Sequence, residues 1–335
     1  MHNTDRMMDN CSMCATNMSG YAYQHLPQAL QEGLVNVTQL RIAATRTLRL
    51  RFMLGLFDQH GDGPFDKWNA TSVDTAAHRE LARRSASEGL VLLRNAGNLL
   101  PLSAGKLRNV AVIGPNADRA DTLLSNYNGC RGTSGNFINR NDPSPACRLV
   151  TPLAGLRAKL SPHGTKLTYH EGAAFNRTGT GGIAAAVAAA AAADVAVIVV
   201  GLVPTGQNNG DFLGGRMTPK STNGTDLNAA AGEGEAHDRV SLGLPGAQLA
   251  LVRAVLAAQK KTVLVMMSGG LISEPTLMTG EGAAPVIVQS FYGGEEAGTA
   301  LAAALLGNET RRPHTHPPLL DVKSLQGPLI DLYCL

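Results

Sequence analysis

The sequence predicts a layered α/β fold built around a mostly parallel sheet. Three observations carry that expectation: short runs that are apolar at every position, helical runs between them, and glycine-rich ends on several of the apolar runs. A strand that is apolar at successive positions, not only at every second one, has both faces covered. Strands alternating with helices pack as a parallel sheet between helical layers.

In chain order, Leu26 to Phe57 reads as two helices. The first, around Pro27 to Gln31, stops at Gly33. The second starts after Asn36, an N-cap residue, and carries Leu40, Ile42, Ala43, Thr47, Leu48 and Leu50 at helical spacing, which predicts one buried face. The polar stretch Asp58 to Ser72 reads as a linker, and Thr75 to Ser87 as a helix. Strands are expected at 89–95, 110–114, 167–170, 195–200, 263–267 and 286–289, with helices at 153–160, 182–192, 246–259 and 295–306. The resulting organisation is an irregular N-terminus (1–21), a helical segment (22–57), a linker and connecting helix (58–87), an α/β sandwich (88–310) and a proline-broken tail (311–335).

Composition excludes several function classes. A net charge of +3 on 335 residues, with dispersed basic side chains, does not suit nucleic acid. Arg41, Arg46, Arg49 and Arg51 read as a solvated helix face. No apolar run reaches membrane-spanning length, Ala184 to Ala193 included, and the first twenty residues hold no signal-peptide core. Cys11 and Cys14 lack a second pair for zinc, and His314 and His316 read as part of an irregular end, so no metal is expected. Cys130 and Cys147 flank a Gly/Asn/Pro-rich segment that a disulfide, if the compartment is oxidising, would close into a loop. Sequons at Asn10, Asn17, Asn36, Asn69, Asn176, Asn223 and Asn308 point to a secretory route. No cofactor is expected either. The glycines of Gly179 to Ala184 do not follow directly on a strand and lack an acidic partner for a ribose, and Pro115 weakens the turn after 110–114 as a phosphate cradle.

The chemistry-bearing feature is the loop Gly232-Glu233-Gly234-Glu235-Ala236-His237-Asp238-Arg239, which runs into Leu244-Pro245-Gly246-Ala247-Gln248. Two carboxylates in a glycine- and alanine-rich loop suit delivery of a carboxylic acid into a cleft, as glycosidic-bond cleavage requires of its proton donor. In a parallel α/β sheet the carboxyl ends of the strands line the ligand crevice. Gly201, Gly269 and Gly293 are therefore expected on one rim, beside the Glu233 and Glu235 loop. Ser268 has no histidine partner and reads as structural. Six Tyr, seven Phe and one Trp are few for a complete sugar site, which usually needs aromatic platforms.

Several motifs, in order, resemble glycoside hydrolase family 3. They are Ser87 to Asn95 followed by Asn98-Leu99-Leu100-Pro101-Leu102; Val110 to Ala117; Ser125 to Gly129; Asp238-Arg239-x-x-Leu242 with Leu244-Pro245-Gly246-x-Gln248; Ser268-Gly269-Gly270; and Tyr292-Gly293-Gly294-x-x-Ala297-Gly298. The likeness covers about residues 22 to 308 and is strongest to the β-xylosidase branch. It implies that 22–57 are the last helices of a truncated (β/α)8 barrel and that the sandwich follows. It further implies an oligosaccharide substrate, a retaining mechanism, and an acid/base Glu from this loop, at Glu233 (first choice) or Glu235. Asp238 and Arg239 are expected to anchor the loop, and the sugar-contacting residues are not assigned. The barrel's strands and nucleophilic Asp are not in this chain, so the chain alone is expected to be inactive or nearly so. The apolar face of the barrel-derived helix is expected to dock to a barrel or to drive self-association. The parent protein is expected to be secreted or in the cell wall. β-Glucosidase or β-N-acetylglucosaminidase activity, or a non-catalytic carbohydrate-binding or docking module, are the alternatives.

Overall fold

The structure is a computed structural model. It describes residues 25–58, 63, 65, 68, 72, 74–124, 148–175, 179–204, 232–233, 239, 241–307 and 320–321. Glu235, Asp238, Cys11, Cys14, Cys130, Cys147, His314 and His316 lie outside the described residues, as do all the sequon asparagines except Asn36. The chain divides into two compact units, Met1–Thr75 and Ala76–Leu335.

The first unit holds α1 (Leu26–Gln31) and α2 (Val37–Met53). Asn36 starts α2 as the sequence predicts. Its side chain accepts the Gln39 amide at 2.9 Å, and the Gln39 side chain accepts the Asn36 amide at 2.9 Å, so two of the helix's unpaired donors are satisfied reciprocally. The expected buried face is not found. No residue of α2 is buried, and Phe52 and Met53 are 63% and 74% exposed. Spacing records that an apolar stripe exists, whereas burial requires a surface laid over it. Arg41, Arg46, Arg49 and Arg51 are exposed.

The second unit begins with α3 (Ala76–Glu88), which packs on the sandwich helix α8 (Ala297–Leu306). The strands are β1 (Val91–Asn95), β2 (Asn109–Ile113), β3 (Lys166–His170), β4 (Val195–Gly201), β7 (Thr262–Met267) and β8 (Val286–Gln289), with short strands β5 (Val203–Pro204), β6 (Gly232–Glu233) and β9 (Leu320–Asp321). They form a seven-stranded sheet in the order β3-β2-β4-β7-β8-β1-β9 and a separate parallel pair, β5-β6. Within the large sheet only the β1–β8 pairing is antiparallel. β9 falls in the tail read as irregular; it pairs with the outer edge of β1, whose backbone groups would otherwise lack a ladder partner.

Alternate residues of the central strands point into two apolar layers. Val110, Val197, Val265 and Val288 face α4 (Pro152–Leu160) and α8, meeting Leu156 and Leu301. Ile113, Ile198, Leu264 and Ile287 face α5 (Ile183–Ala191), α6 (Gln248–Ala258) and the short α7 (Pro275–Met278), meeting Ala186, Leu251 and Leu277. Both sheet faces are thus covered, which is why these strands carry no polar alternation. The α4–α8 crossing is close enough to need glycine on both sides: a Cβ at Gly155 would overlap the Gly298 carbonyl, and one at Gly298 the Thr151 carbonyl.

Candidate functional site

Because β4, β7 and β8 are adjacent and parallel, their carboxyl ends share one rim. β4 ends at Gly201, β7 runs into Ser268-Gly269-Gly270, and β8 into Ser290-Phe291-Tyr292-Gly293. The Leu244 to Gln248 motif fixes this rim. Gly246 takes a left-handed φ of 61° that non-glycine residues avoid, and the chain then turns into α6. Gln248, wholly buried at the start of α6, accepts the Gly201 amide at 2.8 Å and donates to the Gly201 carbonyl at 2.9 Å. Glu274 accepts the Leu244 amide at 2.7 Å. The end of β4 is therefore stapled to α6, and the chain leaves it through β5, whose Pro204 registers opposite Glu233 of β6.

That pairing brings the Glu233 carboxylate to the rim, where only 14% of the side chain is exposed. Its Oε1 accepts the Gly269 amide and, at 2.8 Å, the Tyr292 hydroxyl. Its Oε2 accepts the Gly270 amide at 3.0 Å and lies 3.6 Å from Arg239 Nε. Arg239 in turn donates from Nη2 to the Leu271 carbonyl at 2.8 Å. Its Nη1 is buried without a partner among the described residues. Burial first, and then the charge and hydrogen bond of Glu233, push the Tyr292 phenol far above its ordinary value of 10.0, so Tyr292 is a fixed donor.

Glycine at 269 and 270 serves one of two ends, a turn that needs positive φ or a close approach of other groups. Neither residue has a positive φ, so the close approach is the relevant one. A Cβ at Gly269 would stand 3.0 Å from Glu233 Oε1 and 3.2 Å from the Tyr292 ring, and one at Gly270 would stand 3.0 Å from Arg239 Nη2. The glycines make a cradle for a carboxylate. Ser268 is buried, and its hydroxyl accepts the Gln289 side chain at 2.9 Å, which ties β7 to β8 internally.

The structure therefore brings together Glu233, Arg239 and the rim glycines that the sequence singled out. Tyr292 is the partner that sequence reasoning did not assign; the available signal was one of only six tyrosines placed directly before a glycine pair at a strand end. Among the described residues no group of three or more His, Cys, Asp or Glu is arranged to hold a metal, and no helix is long and apolar enough to cross a membrane.

Comparison with known proteins agrees with this architecture. Residues 90–319 match the Glycosyl hydrolase family 3 C-terminal domain. Probable beta-D-xylosidase 7 and Beta-D-xylosidase 3 of Arabidopsis thaliana are 32% and 33% identical, each over 87% of this chain and 32% of the relative. A solved family 3 exo-β-xylosidase in complex with a xylobiose aziridine probe superposes with a TM-score of 0.67 at 27% identity, over 86% of this chain and 31% of that one. A β-glucosidase from Erythrobacter marinus superposes at 0.63 and 30% identity, over 85% of this chain and 35% of that one. The chain spans about one third of the length of these relatives (32% of each plant xylosidase). Matched over most of its length, and sharing the layered sheet, this chain belongs to glycosyl hydrolase family 3.

Proposed function

We propose that this chain is the C-terminal part of a β-xylosidase-like glycosidase that removes terminal β-linked sugars from cell-wall oligosaccharides such as those of xylan. The observation that carries the reading is the acidic loop, whose Glu233 sits on the carboxyl-end rim of a family 3 sandwich. The similarity to plant β-xylosidases supports the substrate class. In the complete enzyme a barrel Asp attacks the anomeric carbon, and a loop Glu protonates the leaving oxygen and then activates water, a retaining double displacement. We assign the acid/base role to Glu235. Both Glu233 oxygens are already engaged, by the Gly269 and Gly270 amides and the Tyr292 hydroxyl, so this carboxylate is committed to holding the loop to the rim. Asp238 joins Arg239 in anchoring the loop. The exposed apolar residues of α2 are the docking surface for the barrel, and uncovered they favour self-association. The sequons suit a secreted or cell-wall protein.

Without a nucleophile, this chain alone turns over substrate at or near the buffer rate. The test is hydrolysis of nitrophenyl β-xyloside and β-glucoside by purified protein, with titration calorimetry on xylo-oligosaccharides. Turnover well above buffer that survives both Glu233→Gln and Glu235→Gln would overturn the mechanism. A second reading, β-glucosidase activity of the parent enzyme, is favoured by the likeness to the Erythrobacter marinus β-glucosidase. It predicts preference for the glucoside once a barrel is supplied. Tight oligosaccharide binding with no turnover in that reconstituted form would instead favour a non-catalytic module.

A further inference from the structure

The geometry points to Glu233 as a positioning residue: with Arg239 it fastens the acidic loop, at positions 233 and 239, to the single turn Gly269-Gly270-Leu271. Four contacts converge on the Glu233 carboxylate, and a fifth ties Arg239 to the same turn. Glu233 enters from β6, takes the Gly269 and Gly270 amides, and receives the Tyr292 hydroxyl from the turn after β8. Arg239, six residues further on, faces the same carboxylate at 3.6 Å and bonds the Leu271 carbonyl. Both side chains are largely withdrawn from water, with 14% and 11% exposed, so the pair is screened less than a surface ion pair. Tyr292 and Arg239 are positioning residues in the same sense, because they act on the loop through the Glu233 carboxylate.

The inference rests on the acid/base reading only for its purpose: the fastened span carries Glu235. The clamp itself is a carboxylate cradle, and that chemistry can be tested on the chain as it is, without turnover. In Glu233→Ala the cradle keeps its amides, phenol and guanidinium but loses the anion. Deuterium uptake of the peptides covering 232–241 and 269–271 should then rise about tenfold, while that of β4 and β7 stays unchanged. Millimolar acetate should restore protection and the neutral isostere acetamide should not. Tyr292→Phe, which keeps the ring packing, should give a smaller rise in the same peptides. Unchanged uptake in Glu233→Ala, equal rescue by acetamide, or a uniform rise across the sheet would overturn the clamp. Glu235→Gln should leave uptake at the wild-type level. Loss of that protection in Glu235→Gln would also overturn it, whereas turnover surviving Glu235→Gln in a barrel-containing form would remove the acid/base assignment and leave the clamp intact.

Discussion

Helices α2 and α8 are both rich in apolar residues, and the structure treats them oppositely. In α8 every residue except Thr299 is buried, between the sheet, α4 and α3. In α2 none is, although Ile42, Leu48, Leu50, Phe52 and Met53 recur along it. Intrinsic helix propensity does not separate them, since most helical stability in a folded protein comes from packing an apolar face. What separates them is a neighbour. α8 has the sheet beneath it and a glycine contact to α4, while α2 is held by its own cap and backbone. An apolar pattern thus marks a face suited to packing, and only tertiary contacts decide whether that face is buried.

The sharpest way to break the contrast is Gly298→Ala. A methyl there would overlap the Thr151 carbonyl, and α8 has no free side to move toward. A loss of about 3 kcal/mol or more is expected, measured by urea unfolding of the sandwich signal. A loss under about 1 kcal/mol would show that the α4–α8 contact is looser than described.

A paired truncation sharpens the same point. Leu301→Ala in α8 removes a wholly buried side chain and should cost about 3 kcal/mol. Leu50→Ala in α2, where the side chain is 57% exposed, should change stability by less than about 0.5 kcal/mol. Equal costs would mean that α2 is covered in solution, for instance by a second copy, and sedimentation across a concentration series would then detect the association.

The smallest effect belongs to the cap. Asn36→Ala removes the side-chain acceptor of the Gln39 amide and leaves only the bond from the backbone N–H of residue 36 to the Gln39 side chain. The cost is about 1 kcal/mol, and in a helix without tertiary cover it should appear as local loss of helicity by circular dichroism and amide exchange. The sandwich unfolding midpoint should not move.

Much of the fold was legible because its signals are local. Continuous apolar runs marked β2, β4, β7 and β8 nearly to the residue, and the Gly-rich ends marked the rim. The tail strand β9 was not legible: a two-residue edge strand has no periodicity, and it exists because β1 has an edge to pair. At the site, sequence reasoning selected Glu233, Arg239 and the glycine pair, all of which meet on the rim. It did not identify Tyr292 as their partner. Nothing near Tyr292 in sequence is acidic in the right place, and its contact with Glu233 spans 59 residues.

The sequence alone determined the class of fold, the order of its main strands and helices, and the family, since periodicity, turn glycines and motif order are properties of short stretches of chain. Tertiary structure alone decided which carboxylate oxygens are occupied, which tyrosine occupies them, and which apolar helix is buried. These depend on groups far apart in the chain arriving within about 3 Å of each other, and hydrogen bonds and packing forces act only at that range.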